Sequence, residues 1–145
     1  MPTRIETMRR TVAGELPPPP IATLIGFRMT AIEPGRSRFE IDADERHHNP
    51  MGTLHGGVLC EIADVAMGSA YASTLDEGES FATLELKINF LRPVRSAHLV
   101  ADGSVVQRGR TIGLVECDIS DEQGRLIAKA SSTCMTLRGE QAHGR

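Results

Sequence analysis

One segment limits the possible folds of this chain more than any other. Residues 57–74 (GVLCEIADVAMGSAYAST) predict a helix, and on a wheel of about 100° per residue they are apolar around most of the circumference. Only Glu61, Asp64 and Gly68 form a narrow seam that is not apolar. A helix with so wide an apolar surface is buried, so the rest of the chain must cover it.

Strand patterns on both sides of this helix supply the cover. Residues 26–44 predict two strands joined by a turn at residues 33–36, where Pro34 and Gly35 are strong turn formers. Residues 81–94 alternate, with Leu84, Leu86, Ile88 and Phe90 on one face and Thr83, Glu85, Lys87 and Asn89 on the other. Residues 97–137 predict three more strands with short turns, which imply antiparallel neighbours. We therefore predict an α+β fold in which an antiparallel sheet curls around one long central helix.

The remaining segments define the domain organisation. Residues 1–20 end in four consecutive prolines and are predicted to be a flexible, Pro-rich lead-in with room for a short helix, outside the compact core. Residues 21–138 form the single predicted domain. Residues 139–145 are predicted to be a disordered tail.

Composition excludes several classes of partner. A net charge of −3, one tyrosine and no tryptophan give no basis for nucleic-acid binding. No run approaches the roughly 20 apolar residues that span a bilayer, and residues 1–20 lack the apolar stretch of a secretory signal. Cys60, Cys117 and Cys134 have neither disulfide nor zinc spacing, which favours free thiols. We expect a cytoplasmic protein without a membrane partner.

Two carboxylates in an otherwise apolar helix require an explanation, because burying an unpaired carboxylate is costly. For Asp64 the structural explanation is an ion pair or a hydrogen bond, and the functional one is a catalytic carboxylate whose pKa is set by its surroundings. For Glu61 we favour a salt bridge to an arginine or lysine.

The triplet His55-Gly56-Gly57 at the start of the helix supports the functional explanation for Asp64. The first N–H groups of a helix have no partner within it, and an N–H of this kind can stabilise the oxyanion of acyl transfer. Asp64 lies about 12 Å of helical rise beyond Gly56. Either a substrate bridges this distance or a second subunit closes it.

The segment NPMGTLHGGVLCEIAD, together with LELKINFLRPV and the RGRT turn, resembles the hotdog-fold acyl-CoA thioesterases of the PaaI-like type. The likeness covers residues 24–137. It implies a long helix wrapped by a curved antiparallel sheet, with protomers paired edge to edge as a homodimer, or as a tetramer of two dimers. It also implies an active site at the dimer interface, with residues from both chains.

The resemblance implies a role for individual residues. Gly56 matches the oxyanion-hole amide, and Asp64 matches the carboxylate that acts as nucleophile or as general base on water. Asn49 matches the position that orients the thioester or water from the facing subunit, and Thr83 matches a hydroxyl that places the water. His55 matches the histidine before the oxyanion glycine. Thr83 could equally be an ordinary exposed strand threonine, and His55 a hydrogen-bonded structural imidazole.

The same resemblance implies which residues contact the rest of the substrate. The predicted substrate-binding residues are Gly57, Phe90, Arg92, Gln107, Arg108, Gly109, Arg110 and Thr111, with the arginines placed to hold the phosphates of coenzyme A. Small and aliphatic side chains, Ala63, Met67, Ala70 and Leu84, are predicted to form the floor of the acyl pocket. His47 and His48 have no further ligand at metal-binding spacing, so no metal is predicted.

The predicted function is hydrolysis of the thioester of a small aromatic or short- to medium-chain acyl-CoA to the free acid and coenzyme A, without a cofactor. One alternative is a hydratase-like hotdog protein, although its usual D-x-x-x-x-H motif at the helix start is absent. The other is a non-catalytic acyl-CoA-binding protein, which Asp64 argues against.

Overall fold

A computed structural model describes residues 1–145 of the chain. The helices are α1 (Arg4–Val12), α2 (Pro20–Ile25) and α3 (Gly56–Ala72), and two short 3₁₀ turns cover Glu45–His47 and Gly139–Ala142. The strands are β1 (Phe27–Glu33), β2 (Arg36–Ala43), β3 (Ser80–Phe90), β4 (Ala97–Arg108), β5 (Ile112–Ser120) and β6 (Leu126–Leu137). No helix is long and apolar enough to cross a membrane.

The six strands form one antiparallel sheet in the order β1-β2-β4-β5-β6-β3. The sheet packs around α3, whose inner residues include Ile62, Ala66 and Met67, all fully buried. The α+β fold predicted from the apolar helix, with an antiparallel sheet around it, is therefore confirmed, and it is the hotdog architecture that the resemblance implies. The strands β1 and β3 are the free edges of the sheet.

The sheet and α3 approach each other closely because small residues face the helix. A methyl group on Gly103 in β4 would lie 2.5 Å from the carbonyl oxygen of Ala66, and one on Gly113 in β5 would clash with the ring of Tyr71. The Ser37 hydroxyl in β2 donates to the Ala66 carbonyl at 2.6 Å. These contacts fix the position of α3 and thereby the direction in which its outer face points.

The strand β3 differs from the simple alternation that the sequence predicts. Thr83 pairs with Cys134, and Glu85 pairs with Thr133, so Leu84 is the extra residue of a β-bulge. Residues on either side of such a bulge switch faces. Thr83 therefore lies on the inner face, toward α3, whereas Glu85 lies on the outer face. The prediction that both share one face is wrong.

The N-terminal segment contains more regular structure than a bare linker. The helix α1 begins with a capping box, in which Thr3 and Glu6 each accept a hydrogen bond from the other's backbone N–H. It has no fully buried residue, and it lies against β1. Prolines 17–19 then lead directly into α2. This segment therefore covers part of the domain surface.

Candidate active site

The carboxylate of Asp64 lies in a groove between α3 and the free edge strand β3. This groove, here called the Asp64 groove, has a volume of about 390 Å³. It is lined by Gly57, Cys60, Glu61, Asp64 and residues 83–86. The bulge at Leu84 turns the Thr83 side chain toward Asp64, so the two predicted catalytic residues on these elements lie together.

The surroundings of Asp64 raise the pKa of its carboxyl group above the ordinary value. The residue is exposed on the single chain, yet neighbouring protein atoms remove enough water that desolvation raises the pKa of the Asp64 carboxyl group. The Thr83 hydroxyl has the opposite effect on this pKa, and no cation stabilises the carboxylate. Asp64 therefore forms no ion pair within the chain.

Glu61, one turn before Asp64, also faces the groove. The salt bridge predicted for Glu61 is not formed: every ion pair of the chain involves another carboxylate. The reason is that the outer face of α3 carries no basic residue.

A second pocket lies at the N-terminal end of α3. This pocket, here called the Gly56 pocket, has a volume of about 370 Å³ and is lined by Asn49, Thr53, Leu54, Gly56, Leu59 and residues 90–94. Gly56 is the first residue of α3, and its N–H donates to no acceptor in the chain. The next N–H, of Gly57, donates to Nδ1 of His55 at 2.8 Å. Of the two glycine amides, only that of Gly56 is free for a ligand.

This contact also defines what His55 does in the single chain. His55 is the N-cap residue of α3, and its Nδ1 accepts a hydrogen bond, so its neutral imidazole carries the proton on Nε2. This hydrogen bond gives His55 a structural role as the cap of α3. A catalytic role for His55 would have to use Nε2.

Phe90 covers the Gly56 backbone. Its ring atoms lie 2.8 Å from the position that a methyl group on residue 56 would occupy. Only glycine permits this contact. Phe90 therefore forms the wall of the pocket beside the free N–H, consistent with its predicted contact with substrate.

Asn49 organises the loop before α3. Its Oδ1 accepts hydrogen bonds from the N–H groups of Met51 and Thr53, and its Nδ2 donates to the Thr53 hydroxyl. One N–H of the Asn49 amide remains available to a ligand. In the same loop, the imidazoles of His47 and His48 bond to backbone groups, so both have structural roles.

The residues predicted to bind coenzyme A lie in two separate groups. Arg92 lies in the Gly56 pocket at the end of β3, whereas the turn at residues 107–111 lies beside Glu79 at its start. A strand of 11 residues separates these groups by roughly 33–36 Å. One chain therefore cannot place all of them on one ligand.

The two arginines of the turn, Arg108 and Arg110, differ in whether other residues of the chain contact their side chains. Arg108 packs over the ring of Tyr71 at 4.9 Å, donates to the Thr74 hydroxyl, and lies 3.5 Å from the Glu79 carboxylate. Arg110 is exposed, and its side chain forms no ion pair. Arg110 is the arginine of this turn that is available to bind a phosphate.

The predicted floor of the acyl pocket is wrong for three of its four residues, whereas Leu84 lines the Asp64 groove. Ala63, Met67 and Ala70 are fully buried between α3 and the sheet, where no ligand reaches them. Leu84 is 52% exposed because it is the bulged residue. Ala63, Met67 and Ala70 belong to the apolar surface of α3 that the sheet covers, so they form the protein core and not a ligand pocket.

Comparisons with known proteins agree with this architecture. The thioesterase superfamily matches residues 51–128, which include α3 and β3 to β5. A 1,4-dihydroxy-2-naphthoyl-CoA hydrolase from Listeria monocytogenes is 27% identical over 109 residues, covering 75% of this chain and 89% of the relative.

Two solved structures have the same fold. A phenylacetic acid degradation-related protein from Ralstonia eutropha JMP134 has a TM-score of 0.79 at 32% identity, covering 88% of this chain and 98% of that one. The PaaI protein of E. coli has a TM-score of 0.82 at 20% identity, covering 94% and 98%. The resemblance predicted from the His55-Gly56-Gly57 motif is confirmed.

Proposed function

Since the chain belongs to the thioesterase superfamily, we propose that it hydrolyses the thioester of an acyl-CoA to the free acid and coenzyme A. The observation that carries this proposal is the pair formed by an unpaired helix carboxylate, Asp64, and an unpaired helix N-terminal amide, Gly56. The Asp64 carboxylate can activate a water molecule or attack the thioester carbonyl, and the Gly56 N–H can stabilise the oxyanion that forms. The name of the Listeria relative supports a CoA thioester as substrate.

The two groups act together across a dimer interface in this proposal. The outer edge of β3 is unpaired, and Leu84, Phe90 and Leu91 expose 52–55% of their surface along or beside it. Antiparallel pairing of two β3 edges around a two-fold axis brings the end of one strand beside the start of the other. The Asp64 groove of one chain then faces the Gly56 pocket of its partner, and Arg92 approaches the partner's turn at residues 107–111. The homodimer, or a tetramer of two such dimers, is the active form.

Asp64 acts in its ionised form in either chemical route. As a general base it takes a proton from water while the water oxygen attacks the thioester carbonyl. As a nucleophile it attacks the carbonyl itself, so that loss of the thiolate leaves a mixed anhydride on Asp64, which a water molecule then hydrolyses to the free acid and the regenerated carboxylate. The oxyanion accepts a hydrogen bond from the partner's Gly56 N–H. When the C–S bond breaks, the sulfur leaves as thiolate and is then protonated.

The direct test is release of free thiol from a panel of acyl-CoAs. We expect turnover with small aromatic or short- to medium-chain acyl groups and stoichiometric formation of the acid. Binding of these acyl-CoAs without thiol release would instead support the non-catalytic alternative.

The pH profile of this activity tests the position of Thr83. Because ionised Asp64 is required, kcat/KM falls as the pH drops through the Asp64 pKa, which desolvation holds above the ordinary value. The change Thr83→Val removes the hydroxyl that lowers this pKa, so we expect the acid limb to move to still higher pH. The control is Thr133→Val on the neighbouring strand β6, where the hydroxyl donates to Glu85 instead. Identical acid limbs in wild type and Thr83→Val would contradict the contact.

A further inference from the structure

A larger cavity lies beneath the N-terminal segment. It has a volume of about 460 Å³ and lies between α3, the inner faces of β1 and β2, and residues 11–22. Its walls are mostly apolar: Val65 on α3, Phe27, Met29 and Phe39 on the sheet, and Leu16, residues 17–19 and Ile21 on the N-terminal segment. Its size and composition are those of a site for a small apolar ligand.

This cavity adjoins the proposed catalytic carboxylate. A groove of about 320 Å³ runs under α1 and is lined by Arg4 and Met8 on one side and by Asp64, Gly68, Phe81 and Thr83 on the other. Val65 and Ser69 line both this groove and the cavity. The Phe81 ring lies against Gly68, so a ligand that occupies both spaces passes over Val65 and Ser69. Met8, which also lines the groove, is a flexible side chain that can move aside.

The distance along α3 fits a substrate that occupies both spaces. Ser69 lies five residues beyond Asp64, which is about 7.5 Å of helical rise. An acetyl group with its thioester carbonyl at Asp64 does not extend that far, whereas an octanoyl group does. The surface of α3 at Ile62, Ala66 and Met67 is closed by core packing. The cavity beyond Val65 and Ser69 is therefore the apolar space into which a chain can extend from Asp64.

We propose that the N-terminal segment, residues 8–21, closes an acyl-chain pocket over α3 and thereby sets the length of acyl group that the protein accepts. This inference rests on the proposed hydrolysis of acyl-CoA. The Pro-rich sequence suits such a wall, because the prolines at positions 17–19, which line the cavity, restrict the backbone at low entropic cost.

Two substitutions that fill the cavity from opposite walls test this proposal in the full-length protein. They are Ser69→Phe on α3 and Ile21→Trp on α2, with Leu24→Trp as control, since Leu24 is on α2 but does not line the cavity. For octanoyl-CoA we expect kcat/KM to fall roughly tenfold or more in the two filled variants. For acetyl-CoA it remains within about twofold of wild type, and Leu24→Trp matches wild type with both substrates.

Binding measurements separate this proposal from the proposed hydrolysis. In an Asp64→Asn background, the affinity for straight-chain acyl-CoAs rises about fourfold per methylene that enters the cavity, and Ser69→Phe removes this increase. If Ser69→Phe does not fold, the test rests on Ile21→Trp, because Ile21 lies on the partly exposed wall of the cavity. An unchanged chain-length dependence in the folded variants would overturn the pocket while leaving hydrolysis intact. A third outcome is that affinity depends on chain length and these variants abolish that dependence, while wild type releases no thiol. That outcome would support the acyl-chain pocket and contradict the proposed hydrolysis.

Discussion

The variant Asp64→Asn loses thioesterase activity, with kcat falling by roughly 10²–10⁴-fold. The amide has nearly the same size and shape as the carboxylate but can neither take a proton from water nor attack a carbonyl. Folding is not affected, because Asp64 forms no ion pair and desolvation already disfavours its charge. We therefore expect the melting temperature to equal or slightly exceed that of wild type. Steady-state kinetics with a good acyl-CoA, together with thermal unfolding, measures both quantities.

The matched control is Glu61→Gln. Glu61 lies on the same helix and in the same groove as Asp64, and it also has no ionic partner. If the loss of a negative charge were sufficient to reduce activity, both variants would be impaired to the same degree. We expect Glu61→Gln to stay within about threefold of wild type, since the proposed reaction uses one positioned carboxylate, that of Asp64. Full turnover by Asp64→Asn would refute the catalytic assignment.

The variant Gly56→Pro removes the proposed oxyanion donor while keeping the helix. Proline lacks an N–H group and is well tolerated as the first residue of a helix, which is the position of Gly56 in α3. The preceding residue, His55, has φ −64° and ψ 131°, a conformation compatible with a following proline. We expect kcat to fall roughly 10²–10³-fold, the effect of losing one oxyanion donor. Circular dichroism reports whether α3 is retained.

The control for this variant is Gly56→Ala. Any side chain at position 56 displaces the Phe90 ring, so both variants disturb that contact, but only proline removes the N–H. If kcat falls much more in Gly56→Pro than in Gly56→Ala, the missing N–H group is the cause. Equal losses would mean that the contact with Phe90, and not the N–H, is what activity requires.

The helix and most of the sheet could be predicted because they follow from local periodicity. The apolar surface of α3, broken only at a seam around Asp64, predicts a central helix and a covering sheet, and the observed helix differs by only one or two residues at its ends. The turn at Gly35 is also a local signal, since this residue has φ +77°, a conformation that glycine favours.

Features that depend on contacts between distant residues could not be predicted. The bulge at Leu84 arises from the pairing of β3 with β6, and alternation within β3 alone placed Thr83 on the wrong face. From the sequence, Arg108 is one more arginine in a basic turn. In the structure it contacts Tyr71 and Glu79, which are 37 and 29 residues away in sequence, so these contacts could not be predicted from a local pattern. The use of His55 as a cap could have been suspected from its position just before α3, where a side-chain acceptor for backbone N–H groups is common.

The central claim is that one active site combines Asp64 of one chain with Gly56 of its partner, and mixing two inactive variants tests it most directly. Asp64→Asn and Gly56→Pro are each purified, unfolded together and refolded as a mixture, and native mass spectrometry confirms that mixed dimers form. Each mixed dimer then holds one site with both substitutions and one intact site. Because half of randomly assembled dimers are mixed, we expect about one quarter of wild-type activity to return. If the mixed dimers form but show no more activity than the separate variants, the two residues do not act across an interface, and the account is contradicted.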